Sequence, residues 1–539
     1  MRGQTFGHRL RRSWRQGLGA PGLLLGWEVL AGLFAAVRWL SGRPGWSVAL
    51  VVTSLALLMM AAGQLMQVAR LYGQPTSPDW VTSWRLVWHH KWAWLAVVLI
   101  VGLLALPLGL WGLSSRVLVR VPLAASVVNF VSLHRRPVVV TAGILYVLLA
   151  GYLLLWGPRH FHRLTPRIDH PGSIGQMLSG LLICGGLTVL WRGLGVGLVW
   201  LNQQYDRHGS LLGTRWVLTI SLVIVLLTFV FVSILGALTL VWSWYGQPDL
   251  SGRNHGRQSR RGSLIGGGLC LLLLGTVVQQ TLTQAPQFSR TTTISHRGVD
   301  HARGVQNTIG ALKQVTGEHP SYVEMDLHET KDHQWVVLHD ENLAALAGRN
   351  VTPHQLTSRQ LTGLTLHENG QSARLAGWPA YLATAERLHQ PLMVELKTTP
   401  QDSAGMVRRF AHQYGQRLLR DHAIVHSLDY RVVAQLRREM PRLKVGYILP
   451  FNWVSPQSVP ADFYSFQQIS ASQQFILAAH QMGVAAYIWT PDVQDKMARM
   501  WALGADGQIT NELQRLQAVT QQAPQRAQWA VLQNFIFSY

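Results

Sequence analysis

The sequence predicts two folds in one chain: an α-helical, multi-span transmembrane domain followed by an α/β domain of the (β/α)8 TIM-barrel type. Three observations predict this. The 539 residues are 48 % hydrophobic and only 13 % charged, about half the usual charged share. The charge is split unevenly: residues 1–290 hold 25 of the 47 Lys and Arg but 5 of the 25 Asp and Glu, a formal +20, and residues 291–539 hold the other 22 and 20, about +2. From Thr291 onward, long apolar runs give way to short β-rich runs that alternate with amphipathic ones. The length exceeds one ordinary domain. Composition excludes a disordered chain and an enzyme that is soluble throughout. The basic residues of the first half sit between apolar runs instead of on a polar face, which excludes a nucleic-acid binder and fits the loops of a membrane protein.

The chain opens with a basic stretch, 1–20, carrying Arg2, Arg9, Arg11, Arg12 and Arg15. No small-residue cleavage site follows, so an uncleaved first span is expected instead of a removed signal peptide. The transmembrane domain, 21–285, contains about seven apolar stretches near the 20 residues a span requires. They lie near 21–41, 46–67, 92–113, 137–156, 173–200, 215–243 and 263–280. Tryptophans mark their ends (Trp46, Trp92, Trp111, Trp156, Trp200, Trp216, Trp242, Trp244), and 16 of the 22 precede residue 291, as an interfacial belt requires. With the N-terminus inside, inside segments carry 15 basic residues and outside segments about eight. The loop at 245–262, with four Arg and one Asp, is the strongest marker, and it places the C-terminal half outside the cell as part of a multi-pass cell-membrane protein. Val121–Ser132, flanked by Arg116, Arg120, Arg135 and Arg136, is fairly apolar and reads as an interfacial or re-entrant segment, or as a further span. Glu28, Arg38 and Arg192 lie in or beside spans, where a structural role is favoured; Arg38, near a helix end, can snorkel. The two cysteines, Cys184 and Cys270, lie inside apolar runs, so no disulfide framework is expected.

Strand-like runs then follow at 291–295, 322–327, 335–338, 392–396, 423–427, 445–449, 463–469, 485–489 and 507–510, with amphipathic stretches at 308–315, 380–388, 406–419, 430–438 and 472–482 between them. This alternation indicates a parallel sheet. About eight strands over 291–515 suit a closed barrel. Residues 516–539 read as a C-terminal tail, polar and then apolar.

A barrel places its chemistry at the carboxyl ends of its strands. The first strand ends in His296-Arg297-Gly298, the second carries Glu324 and Asp326, the next short strand ends in His339-Asp340, another in Glu395-Leu396-Lys397, and a late one in Trp489-Thr490. Residues two apart share a face, so Glu324 and Asp326 would crowd two carboxylates into the barrel. With Glu395 as a third oxygen donor, they suit one divalent cation, Ca²⁺ or Mg²⁺ in preference to Zn²⁺. Salt bridges from Arg297 and Lys397 are the competing account of the two acids. His296 and His339 both end apolar strands and are the natural proton carriers. Arg297 and Lys397 add positive charge beside the cation, the composition of a phosphate pocket. Trp489 is either a wall for a glycerol-like group or core. His328 and His333 flank a turn at 330–332 and read as surface residues.

His296-Arg297-Gly298, then Val323 to Asp332, Val337 to Asp340, Glu395-Leu396-Lys397, Trp489-Thr490 and Gly504 to Asn511 together resemble the glycerophosphodiester phosphodiesterase family over 291–515. The membrane half resembles, in architecture, the multi-span domain that accompanies this enzyme in some Gram-positive bacteria. The resemblance implies one divalent cation on Glu324, Asp326 and Glu395, acid/base roles for His296 and His339, phosphate contacts from Arg297 and Lys397, and an inserted region at 341–391 that shapes the substrate mouth. The implied reaction is metal-dependent hydrolysis of a glycerophosphodiester, a lipid headgroup or a glycerophosphate polymer to glycerol 3-phosphate and an alcohol, at a lipid membrane. A non-catalytic glycerophosphate sensor, a transport-linked module and a lysophospholipase D are the alternatives. Three features depart from the family: Pro491, Asn511 in place of a common Asp, and 341–346 without the usual Arg-Thr pair. They are read as substrate contacts.

Overall fold

The structure, a computed structural model, describes residues 122–161, 174–208, 211–245, 291–451, 454–521 and 528–537, with short stretches at 52–57, 275–279 and 281–282 and single positions between 30 and 60 and at 119. The predicted spans near 21–41, 46–67, 92–113 and 263–280 fall largely outside these residues. The loop at 245–262 beyond Tyr245, and Glu28, Arg38 and Cys270, lie outside them. The chain forms two units: one of Met1–Val117, Val139–Gln284 and Phe535–Tyr539, the other of Leu118–Val138 and Ala285–Asn534.

In the first unit, the predicted spans 137–156, 173–200 and 215–243 are the helices Arg135–Phe161, Ile174–His208 and Leu211–Tyr245. Among the described residues, these three are long and apolar enough to cross a membrane. The last two pair antiparallel. Cys184 Sγ meets the Gly236 carbonyl at 3.5 Å, Trp191 Nε1 donates to the Val225 carbonyl at 3.2 Å, and Asn202 Nδ2 donates to Ser221 Oγ at 2.8 Å. A small residue lets the backbones approach: a Cβ at Gly180 would lie 2.5 Å from that of Ser243.

The second unit holds twelve strands among the described residues. The first six are β1 (Thr292–Ser295), β2 (Tyr322–Glu329), β3 (Trp335–Val337), β4 (Thr365–Glu368), β5 (Gln371–Arg374) and β6 (Ala376–Gly377). The rest are β7 (Leu392–Leu396), β8 (Ile424–Ser427), β9 (Val445–Leu449), β10 (Phe463–Gln467), β11 (Ala485–Trp489) and β12 (Gly507–Thr510). β1, β2 and β7 to β12 run parallel, and β1 pairs with both β2 and β12, which closes an eight-stranded barrel. Alternation sorts the side chains. Val323, Met325, Leu327, Val394 and Val425 face outward into the large core beneath the helices, while Ile294, Met393, Ile424, Phe463 and Ile509 fill the barrel interior.

The helices follow the same logic. Met406–Arg420 buries Met406, Val407, Phe410, Ala411, Tyr414 and Leu418, a stripe at helical spacing. Caps fix the starts: Thr308 accepts from the Ala311 amide, Asp429 from Arg431 and Ser472 from Phe475. The insertion between β3 and β7 carries its own core around Leu338, Leu343, Leu361 and Leu366. Its β4–β5 hairpin turns on Asn369 (φ 53°) and Gly370 (φ 72°), the two left-handed positions such a tight turn demands. Leu513–Gln521, part of it in the stretch read as a tail, is a helix that buries Leu513, Leu516 and Val519.

One barrel crossover is unusual. Between β9 and β10 the described residues hold a single 3-10 turn, Pro456–Ser458, where a barrel normally places a helix. The helix Ala125–Leu133, some 300 residues earlier in sequence, packs there instead. Its Ser132 Oγ accepts from Tyr447 Oη at 3.2 Å. Asn129 Nδ2 donates to Asp429 Oδ1 at 3.1 Å, and Asn129 Oδ1 accepts from the Tyr430 amide at 2.7 Å. The Leu123 amide donates to Ser458 Oγ at 2.8 Å, and Val128 is buried in the main core. This segment, ambiguous by composition, is therefore a barrel element and not a span. Replacing Val128, Asn129 and Ser132 by Ala in the full chain is expected to lower the barrel's melting temperature by roughly 6–12 °C, since losing the Val128 side chain and these hydrogen bonds costs about 3 kcal/mol. Equal melting temperatures by calorimetry would show that the helix contributes nothing.

Candidate active site

The carboxyl ends of the barrel strands bring the predicted residues together. After β1 the chain turns sharply, with Arg297 (φ 54°) and Gly298 (φ 70°) left-handed, so that the Arg297 amide points back and donates to Glu324 Oε2 at 3.0 Å. Asp326 pairs in register with Glu395, and Glu395 with His426, so these three lie side by side around the wall. Lys397 Nζ bridges Glu395 Oε1 (2.9 Å) and Asp326 Oδ1 (3.1 Å). Arg297 Nε lies 3.7 Å from Asp326 Oδ2. Asn307, itself left-handed, clamps Asp326 from both directions: its Nδ2 donates to Oδ2 at 2.9 Å, and its Oδ1 accepts from the Asp326 amide at 3.2 Å.

The three acids thus differ in state. Burial opposes the charge on Asp326, but Lys397, His339, Arg297 and the Asn307 bond outweigh it and hold that carboxyl far below the usual range. Glu324 is pushed well above the usual range by burial and by the negative charges of Asp326 and Glu395. Burial also raises Glu395, despite Lys397. Salt bridging therefore accounts for Asp326, reaches Glu395 through the shared Lys397, and leaves Glu324 without an ion pair among the described residues. One oxygen from each of those two and one ring nitrogen of His426 lie within 4.8 Å of one another, the spacing of donors to a single ion. Both ring nitrogens of His426 are buried without a hydrogen-bond partner. A divalent cation fits this donor set, which holds two of the three predicted ligands and has His426 where Asp326 was expected.

The histidines have distinct supports. His296 Nδ1 sits 2.8 Å from Asn511 Oδ1, and Asn511 Nδ2 donates to Asp492 Oδ2 at 2.9 Å. A carboxylate can only accept, so it turns the amide oxygen of Asn511 toward His296. The proton therefore rests on His296 Nδ1 and Nε2 is bare. Burial, then Arg297, push His296 down to about 4. His339 Nδ1 is backed directly by Asp340 Oδ1 at 2.7 Å; burial and Lys397 lower it. His339 is about a third exposed.

Trp489 points inward, half-buried against the apolar interior cluster. His333 is exposed as expected, but His328 is not a surface residue. β2 continues to Glu329 beneath β3, which buries His328, and its Nε2 lies 3.2 Å from the His339 carbonyl, fixing that backbone. Asn511, read as a substrate contact, hydrogen-bonds His296. Motif reading also passed over Gln306, whose Oε1 accepts from Arg297 Nη1 at 2.6 Å and whose amide donates to Glu368 Oε2 at 2.8 Å on the inserted hairpin. A second acidic and histidine group, Glu329, His354 and Asp402, clusters beyond the end of β2. Its Glu329 is already filled by the Ser403 amide, Ser403 Oγ and Arg409, so it pins the loop after β7.

The closed parallel barrel gathers a cation-fitting group, two oriented imidazoles and an Arg–Lys pair at its carboxyl mouth, groups suited to phosphoryl transfer. Residues 296–515 match the sequence model of the Glycerophosphoryl diester phosphodiesterase family. The C-terminal domain belongs to that family and is a phosphoric diester hydrolase. The chain is similar to YhdW of Bacillus subtilis, 25 % identical over 228 residues, which cover 40 % of this chain and 93 % of YhdW. It is 23 % identical over 238 residues to a glycerophosphodiester phosphodiesterase of Caldanaerobacter subterraneus, across 42 % of this chain and 96 % of that one. The crystal structure of a glycerophosphodiester phosphodiesterase from Parabacteroides distasonis is 22 % identical, with a TM-score of 0.38, over 43 % of this chain and 97 % of its own.

Proposed function

We propose that the protein is a membrane-anchored, metal-dependent glycerophosphodiester phosphodiesterase whose barrel works outside the cell, releasing glycerol 3-phosphate and an alcohol. The observation that carries this reading is the pair of imidazoles, each oriented from behind, near the same carboxylate wall.

Glu324 and Glu395 would hold one divalent cation, Ca²⁺ or Mg²⁺, with Asp326 beside them on the same wall, and the ion when bound would supply Lewis-acid stabilisation of the phosphoryl oxygens. Arg297 and Lys397 bind the phosphate's remaining negative charge. The bare Nε2 of His296 removes the proton of the glycerol 2-hydroxyl, whose oxygen attacks phosphorus. His339, backed by a full carboxylate and so the better proton holder, delivers its proton to the departing alkoxide as the phosphorus–oxygen bond breaks. Water then opens the cyclic phosphate with the two roles reversed. Trp489 lines the pocket beside the glycerol. The Glu368–Gln306–Arg297 chain ties the inserted hairpin to the phosphate-binding guanidinium, so that headgroup and phosphate are read together.

The packing of the helix at 125–133 on the barrel supports the outside placement. Residues packed in one unit lie on one side of the membrane, and the predicted spans 137–156, 173–200, 215–243 and 263–280 separate them, an even number. Both segments then fall on the side opposite the arginine-rich loop at 245–262.

The test is the full chain in detergent, given glycerophosphocholine, lysophosphatidylcholine or polyglycerophosphate with Ca²⁺ or Mg²⁺. Release of glycerol 3-phosphate that EDTA abolishes and the cation restores is expected. Release of a lysophosphatidic acid alone would replace this reading with a lysophospholipase D. Turnover of nothing, with glycerophosphate bound, would make the barrel a sensor.

A further inference from the structure

We infer that His426 is a direct nitrogen ligand of the cation at the barrel mouth, and that the site therefore prefers a divalent transition metal such as Mn²⁺ over Ca²⁺. The inference rests on the proposed metal site and deepens it.

The argument begins from an imidazole whose hydrogen bonds go unmade. His426 lies near the carboxyl end of β8, is 2 % exposed, and has neither ring nitrogen in a hydrogen bond. A buried neutral imidazole normally finds a partner for its donor and for its acceptor. Each orphaned group costs about 1–3 kcal/mol. Its aromatic neighbour does not compensate: the Phe463 ring is 6.0 Å away and tilted. Leu or Met there would serve the barrel core better. What faces His426 is Glu395, its register partner, and Glu324 behind it. Glu324 has no ion pair among the described residues and Glu395 has only Lys397, which it shares with Asp326, whereas Asp326 also has Arg297 and Asn307. The unpartnered imidazole therefore faces the Glu324 and Glu395 carboxylates at donor-to-donor spacing.

The ligand type decides the metal. Ca²⁺ and Mg²⁺ take oxygen donors. An imidazole among carboxylates moves the preference toward the first-row transition ions. The residue is hard to find from sequence because it sits in a plain strand, Ile424-Val425-His426-Ser427, with no motif around it.

The experiment is metal binding by the full chain in detergent, read by pulsed EPR on bound Mn²⁺ and by titration calorimetry with Mn²⁺ and Ca²⁺. Wild type is expected to show coupling from one directly bound nitrogen that changes when the protein carries ¹⁵N-histidine. In His426→Gln the coupling disappears and Mn²⁺ binding weakens by roughly 10- to 100-fold, while Ca²⁺ binding changes by less than about threefold. Bound Mn²⁺ without nitrogen coupling in wild type overturns this inference and leaves the phosphodiesterase reading standing. Because that measurement is made on the unmodified protein, it holds whatever His426→Gln does to folding. Absence of any metal binding overturns both.

Discussion

Replacing His296 or His339 by Ala is expected to lower kcat/KM for glycerophosphodiester hydrolysis by roughly 10²–10⁴-fold in each case, and the double variant by little more than either single one. The losses are shared because one proton path needs both groups. The two variants should differ in pH dependence. Burial pushes His296 down to about 4, so its bare Nε2 is available at every pH above that, and the acid limb of kcat/KM falls near pH 4. Asn511→Asp places a carboxylate behind Nδ1, which favours the imidazolium. The acid limb should then move up by about one pH unit while the alkaline limb, set by His339 on Asp340, stays where it is. Near-normal turnover in His296→Ala, or an acid limb indifferent to Asn511→Asp, removes His296 from the role of base.

The divided legibility of this site has physical causes. Strand boundaries such as 392–396, 445–449 and 485–489 emerge from alternation and from the turn residues around them, because burial on both faces leaves little freedom in composition. The carboxylates and histidines at strand ends are legible for the same reason: charge at the end of an apolar strand has few structural excuses. Supporting residues are not. Asn511 meets His296 across 215 residues and Gln306 meets Glu368 across 62, and neither pair leaves a local pattern. His328 was misplaced because the length of β2 depends on β3 covering it, a tertiary fact. The segment at 121–132 looked like a membrane element because an amphipathic helix on a barrel and one on a bilayer share the same periodicity; its polar face, Asn129 and Ser132, finds its partners only in Asp429, Tyr430 and Tyr447.

Asp326→Asn and Glu324→Gln should have opposite effects on the metal-free protein, although both remove one carboxylate from the same wall. Asp326 has a folded-state pKa held below its usual value, so its contribution to stability is present above the ordinary carboxyl range and is lost as pH falls toward the folded value. At pH 7 its removal leaves Lys397 with Glu395 alone and Arg297 without an acid, a cost of about 3–5 kcal/mol, or a drop in melting temperature of roughly 6–20 °C. Glu324 has its pKa raised, so its ionisation works against folding once pH exceeds the ordinary carboxyl value. Its neutral isostere keeps the acceptor for the Arg297 amide and removes a like charge, so Glu324→Gln should match or exceed wild-type stability without metal. With Mn²⁺ present the order changes: wild type gains stability on binding and Glu324→Gln gains far less. A site kept for folding would show both variants losing stability in the absence of metal. A site kept for a cation shows one residue that carries the frame and another that strains it until the ion arrives, and calorimetry with and without metal separates the two.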